Sequence, residues 1–264
     1  MEIGFGILLL VIGFISGAYG TIVGAGGGFI FVPALLLIMN YPPEVAAGTG
    51  LSVVLLNAIS GVTGYVKQKR INYKLGIVLS IGAIPGTFLG IWFAHIAPAA
   101  SFYGIFAALL IGLGIFLLLK KESEARREVA ATDELSSGIL ARADSQTKVK
   151  VLIACTGILL GIVSGFFGIG GGWLMVPILV YIFKIVPKYA TATSIFALCI
   201  YSVSGVIVYL IQGNIEWIAV LWGGIGIIFG AQLGVFLSDK ISGKLIIRLL
   251  SVLLIIVGVR MFFG

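Results

Sequence analysis

Long apolar runs, each closed by a short polar turn, follow one another along most of this chain. In the first half they cover 3–23, 28–40, 45–66, 75–95 and 101–119; in the second half 150–167, 172–184, 189–210, 217–237 and 244–263. A helix that crosses a bilayer needs roughly 20 apolar residues in a row. Most of the runs come close to that length; the second of each half is too short for a full crossing and is expected to enter and turn back against the first. The short alternating segments of a membrane barrel are absent. The pattern predicts an all-α polytopic membrane protein.

The two halves are copies. An offset of 144, the separation of Gly24 and Gly168, aligns them without a gap. It places Gly13 and Gly17 on Gly157 and Gly161, Pro33 on Pro177, Pro43 on Pro187, Thr49 on Thr193, and Tyr65 on Tyr209. It places Ser60 and Gly61 on Ser204 and Gly205, and Gly82, Gly86 and Gly90 on Gly226, Gly230 and Gly234. Shared apolar composition does not align so many glycines and prolines, and self-similarity of this kind marks duplication. Three units follow: a first transmembrane repeat at 1–119, a charged cytoplasmic linker at 120–149, and a second transmembrane repeat at 150–264.

Charge sets the expected orientation. Lys67, Lys69, Arg70 and Lys74 cluster after the third run, and the linker and its end hold Lys120, Lys121, Arg126, Arg127, Arg142, Lys148 and Lys150. Basic loops stay in the cytoplasm. In the second half Lys184, Lys188, Asp239, Lys240 and Lys244 mark inside turns, whereas Gln212 to Glu216 holds no basic residue and is placed outside with the Asn40 to Glu44 turn and His95. Corresponding loops thus fall on opposite sides, as five segments per half require. The result is a pair of inverted-topology repeats, the second segment of each short or re-entrant after a glycine-rich break. Both termini are then outside, with Arg260 a poor fit.

Composition agrees: of the 264 residues 60% are hydrophobic and only 10% charged, too few charges to cover a soluble surface. The net charge of +7 sits at segment ends, so it orients helices and gives no reason to expect nucleic acid. Cys155 and Cys199 lie in apolar runs and are read as buried packing residues, not a disulfide or metal site. Met1-Glu2 lacks a basic leader, so no cleaved signal peptide is expected.

The candidate chemistry lies in two glycine-rich stretches, Gly24-Ala25-Gly26-Gly27-Gly28 and Gly168-Ile169-Gly170-Gly171-Gly172, each leading into Val-Pro. Glycine runs break a helix and let a ligand approach backbone. A helix starting near Gly28 or Gly172 points unpaired amides and a positive dipole end at the break, a fit for an anion. The candidate substrate-binding residues are therefore Gly24, Gly26, Gly27, Gly28, Gly168, Gly170, Gly171 and Gly172. Polar side chains within apolar runs join them: Thr49, Ser52, Asn57, Thr193, Ser194, Tyr201 and Gln232. Gly82, Gly86, Gly90, Gly157, Gly161, Gly165, Gly226, Gly230 and Gly234 have the spacing of packed membrane helices and are assigned to packing. No acidic or basic residue lies deep in a run, and nothing resembles a catalytic or metal constellation, so neither enzyme nor cofactor is expected.

The doubled G-x-G-G-G-[FW]-[IL]-x-V-P stretch, with Ala190-Thr191-Ala192-Thr193-Ser194 and Ala47-Gly48-Thr49-Gly50-Leu51-Ser52 following, resembles the sulfite exporter TauE/SafE family over nearly the whole chain except the linker. Gly50 departs from the Ser expected there. The resemblance implies a secondary transporter of a small sulfur-containing anion (sulfite, a sulfonate such as sulfoacetate, or a similar organic anion) in a prokaryotic inner membrane. The alternatives are a passive small-anion channel of the same fold and a transporter of a non-sulfur organic anion. The partners implied are that anion and the bilayer, with a homodimer left open.

Overall fold

The computed structural model describes residues 3–96, 99–119 and 147–263. The linker expected at 120–149 therefore lies outside the described residues, apart from its last positions. Ten helices are described: α1 (Ile3–Val23), α2 (Gly28–Leu37), α3 (Pro43–Lys67), α4 (Tyr73–Ile96), α5 (Ala99–Leu119), α6 (Thr147–Phe167), α7 (Gly172–Tyr181), α8 (Pro187–Ile211), α9 (Trp217–Lys240) and α10 (Gly243–Phe263). They match the ten apolar runs. Several overrun them by two or three residues, since backbone bonding does not stop where the apolar side chains do.

α2 and α7 have 10 residues each, about 15 Å of helix, half of a bilayer core. Among the described residues six helices, α1, α3, α4, α8, α9 and α10, are long and apolar enough to cross a membrane. Large apolar side chains such as Phe88, Trp92, Leu221 and Phe229 face outward. That is the surface of a protein solvated by lipid, and this is a multi-pass integral membrane protein. Cys155 is exposed and Cys199 half-buried, which corrects the expectation that both are buried. In lipid an apolar run no longer implies an inward face, because the outer face is apolar as well.

The helices pack across the two halves. α1 lies along α9, α6 along α4, α3 against α9 and α8, α4 against α8, and α5 against α10. Small residues allow these close crossings. A Cβ at Gly13 or Gly17 would collide with the carbonyl of Gly223 or Ile227, and one at Gly157 or Gly161 with that of Leu79 or Ala83. Gly226, Gly230 and Gly234 abut the carbonyls of Leu10, Phe14 and Ala18, while Gly86 and Gly90 abut those of Ile158 and Ile162. Each of these α4–α6 contacts is an α1–α9 contact moved by the same offset. Helix α4 thus docks mainly on α6 and α8 of the other half, and α9 mainly on α1 and α3.

The loops gather in two groups. Arg70 pairs with Asp239, whose carbonyl accepts from Lys188 Nζ at 2.8 Å, and Gln68 Nε2 donates to Val235 O at 3.1 Å. In the other group His95 Nδ1 lies 3.5 Å from Glu44 Oε1, and the Glu216 amide donates to Thr49 Oγ1 at 2.9 Å. These are the groupings read from charge.

Candidate functional site

The two glycine runs meet at the buried centre of the bundle. α1 ends in a left-handed turn, with Gly24 at φ 77°, its amide bonded to Thr21 O at 3.2 Å, and the Ala25 amide to Gly20 O at 2.8 Å. Glycine at this position is the usual way to stop a helix and satisfy its last carbonyls. Tyr65 adds a bond from its hydroxyl to Thr21 O at 2.8 Å. At the end of α6 the Gly168 amide bonds Ser164 O at 2.9 Å, and Tyr209 donates to Gly165 O at 2.7 Å.

The runs then cross backbone on backbone. A Cβ at Gly28 would stand 2.7 Å from Ile169 Cα, and one at Gly172 would stand 3.0 Å from Ala25 Cα. Val54 and Leu198, a pair at the repeat offset, lie over the crossing. A Cβ at Gly26 would be 2.9 Å from Leu198 Cδ1 and 3.1 Å from Val54 Cγ1, and one at Gly170 would be 2.8 and 3.0 Å from the same two side chains. Hydrocarbon therefore covers one side of the crossing, which is closed there. Each glycine of the runs has a conformational or steric reason to be glycine, so a ligand role rests on the amides and not on the composition.

Those amides begin α2 and α7, and neither helix has a side-chain cap. The two ends differ. Gly27 is left-handed at φ 77°, whereas Gly171 has φ −80°. The Gly171 amide donates to the Tyr201 hydroxyl at 2.9 Å. Asn57, at the matching place in α3, is fully buried and accepts from Thr21 Oγ1 at 3.1 Å, and its Nδ2 has no partner.

The remaining candidates spread out. Ser194 lies at the crossing and donates to Gly24 O at 2.7 Å. At its mate Gly50 a Cβ would stand 2.9 Å from Gly168 O, so the geometry repeats and the hydroxyl does not. Thr49 and Thr193 lie toward opposite loop groups, accepting from the Glu216 amide at 2.9 Å and the Asn72 amide at 3.0 Å. Ser52 bonds Gly48 O of its own helix at 2.9 Å. Gln232 bridges α9 to α3 through Ser60 O at 2.6 Å. The structure thus brings the glycines, Asn57, Ser194 and Tyr201 together, and gives Thr49, Ser52, Thr193 and Gln232 other partners.

Sequence reasoning passed over Ser16, Thr21 and Ser164. All three are fully buried beside the glycine runs, and Ser16 Oγ and Ser164 Oγ have no hydrogen-bond partner. Their signal was a hydroxyl within one or two turns of each run. Among the described residues the buried polar side chains are Ser, Thr and Asn57, with no charged group. Outside the spans, burial and then the Glu216 carboxylate push the Tyr41 phenol above its ordinary range, so it stays neutral at physiological pH.

The sulfite exporter TauE/SafE family model matches residues 9–261, which includes both glycine runs and all or most of each of the ten helices. The chain belongs to the sulfite exporter TauE/SafE family. It is 31% identical over 268 residues to the probable membrane transporter protein YunE of Bacillus subtilis, covering 97% of each chain. It is 32% identical to the probable membrane transporter protein MJ0441 of Methanocaldococcus jannaschii, covering 96% of this chain and 94% of that one. A probable membrane transporter protein of Xylella fastidiosa is 24% identical over 243 residues. No solved structure matches. This TauE/SafE chain is accordingly a membrane transporter.

Proposed function

We propose that this protein is a secondary transporter that moves a small sulfur-containing anion, sulfite or a sulfonate such as sulfoacetate, by alternating access. One observation carries the reading: two helices without side-chain caps start at a buried crossing that holds no acidic side chain. Amides at a helix start favour an anion. With no fixed cation nearby, binding is weak enough to permit release. The family description supplies the sulfur chemistry.

The reading includes inverted repeats, with the Lys67 to Lys74 turn and the Asp239 pair on the cytoplasmic face. The units that move are not the two sequence halves. The crossings of α1 with α9 and of α4 with α6 run along most of each helix, whereas the glycine runs touch only locally, so one body comprises α1, α2, α3 and α9 and the other α6, α7, α8 and α4. They shear along the α3–α8 contact. Val54 and Leu198 then form the hydrocarbon barrier that parts on opening.

Proteoliposomes test this. Labelled sulfite or sulfoacetate is expected to accumulate with saturation and to show counterflow when unlabelled anion is trapped inside. Non-saturating flux with electrical current identifies a passive channel instead. No flux of any sulfur anion, with carboxylates carried, removes the substrate assignment.

A further inference from the structure

The two ends of a duplicated site are expected to make like contacts, and here the contacts differ at one position. At α7 the Tyr201 hydroxyl already occupies the helix start, accepting from the Gly171 amide at 2.9 Å. The offset maps Tyr201 onto Asn57 and Gly171 onto Gly27. Asn57 is several ångströms shorter. Its oxygen is engaged by Thr21 Oγ1, which leaves the NH2 as its free end, fully buried and without a partner.

By the offset, that free end points toward the start of α2 as the Tyr201 hydroxyl does toward that of α7. Thr21 follows Gly20, and Gly20 is packed so tightly on Gly27 that a Cβ there would collide with the Gly27 nitrogen. Ser16, one turn earlier on the same face of α1, holds a second buried hydroxyl without a partner, and its carbonyl lies 2.8 Å from where a Gly27 Cβ would be. Among the described residues no acceptor bonds the Gly27, Gly28 or Phe29 amides. Orphaned donors in a buried place call for a ligand. At the other end Ser164 Oγ, Trp173 Nε1 and the Gly172 and Trp173 amides are also without partners among the described residues, and the difference is at the Gly171 amide, which Tyr201 takes where its mate at Gly27 is free.

We propose that the transporter carries one anion at a time, seated at the start of α2, where Asn57 Nδ2 donates to an anion oxygen, while Tyr201 stands in for the anion at the start of α7. This rests on the anion reading above. The seat takes an oxyanion with dispersed charge: its donors are amides, a carboxamide and a hydroxyl. The duplicated scaffold supplies two openings and one binding place, so a single anion meets either side.

The test is binding of sulfite and of sulfoacetate to the purified full chain, by thermal shift and titration calorimetry. Asn57→Leu is expected to weaken binding by roughly tenfold or more, the loss of one hydrogen bond to a charged group. Asn57→Asp, of equal size, is expected to abolish binding through like charge and serves if the Leu variant fails to fold. Asn57→Gln, which restores a donor, is expected to recover part of the affinity. Tyr201→Phe is expected to weaken binding less than Asn57→Leu does, and the stoichiometry is one anion per chain. Folded Asn57→Leu and Asn57→Asp proteins that bind like wild type, a larger loss in Tyr201→Phe, or two anions per chain each overturn the asymmetric seat while leaving the anion reading standing. A wild-type protein that binds neither anion overturns both.

Discussion

The Ser194 hydroxyl donates to the Gly24 carbonyl oxygen at 2.7 Å, so a side chain of the second repeat holds the glycine turn of the first. Removing it leaves a buried carbonyl short of a donor. Ser194→Ala is expected to cost about 1–3 kcal/mol, read as a lower melting temperature in detergent. Gly50→Ser, the matching change in the first repeat, is not expected to add an equivalent bond, because Val32 fills the space a Cβ would need.

The crossing itself leaves no room for a methyl group. Gly28→Ala and Gly172→Ala push the two runs apart against backbone atoms and are each expected to cost about 1–3 kcal/mol, with transport falling in step. Gly112→Ala is the control: nothing lies within 4 Å of the added carbon. It is expected to be neutral or to stabilise by about 0.5–1 kcal/mol, through the better helix propensity of alanine. Thermal unfolding and anion flux in proteoliposomes measure all three.

Cross-links separate the proposed moving bodies from the sequence halves. With Cys155 and Cys199 changed to Ser, a cysteine pair at Gly61 and Ile195 joins α3 to α8, since a Cβ at 61 stands 3.1 Å from Ile195 Cγ2. Oxidation of that pair is expected to stop flux, and reduction to restore it. A pair at Gly64 and Val235 joins α3 to α9 inside one body, where a Cβ at 64 stands 2.6 Å from Val235 Cγ1. Its oxidation is expected to leave flux intact. The opposite pattern means that the bodies are drawn wrongly.

Tyr65 and Tyr209 close the last turns of α1 and α6 with matching bonds of 2.8 and 2.7 Å. Tyr65→Phe and Tyr209→Phe are each expected to cost about 1 kcal/mol, with similar drops in melting temperature. A large difference between them would show that the two glycine turns are not equally strained.

Helix positions and the helix starts at Gly28 and Gly172 were legible in the sequence because they depend on local events: apolar run length, glycine breaks and basic turn residues. Charge also grouped the loops, since basic residues avoid lipid and mark one side. The site was legible only in part. Thr49 and Thr193 matched at the repeat offset and looked like ligands, yet each accepts a bond from a loop amide beyond a neighbouring helix. Ser16, Thr21 and Ser164 looked like ordinary hydroxyls in apolar helices, and only packing showed them beside the glycine turns.

By itself the sequence determined that this chain is a helical membrane protein with two glycine breaks, because apolar length and glycine spacing are properties of the linear chain. Tertiary structure decided that α4 and α9 dock mainly on the opposite repeats, that Val54 and Leu198 close over the crossing, and that Tyr201 finds an amide where Asn57 finds none. Those outcomes depend on which surfaces meet in space and how far a side chain reaches across the gap, and neither quantity is written in the order of the residues.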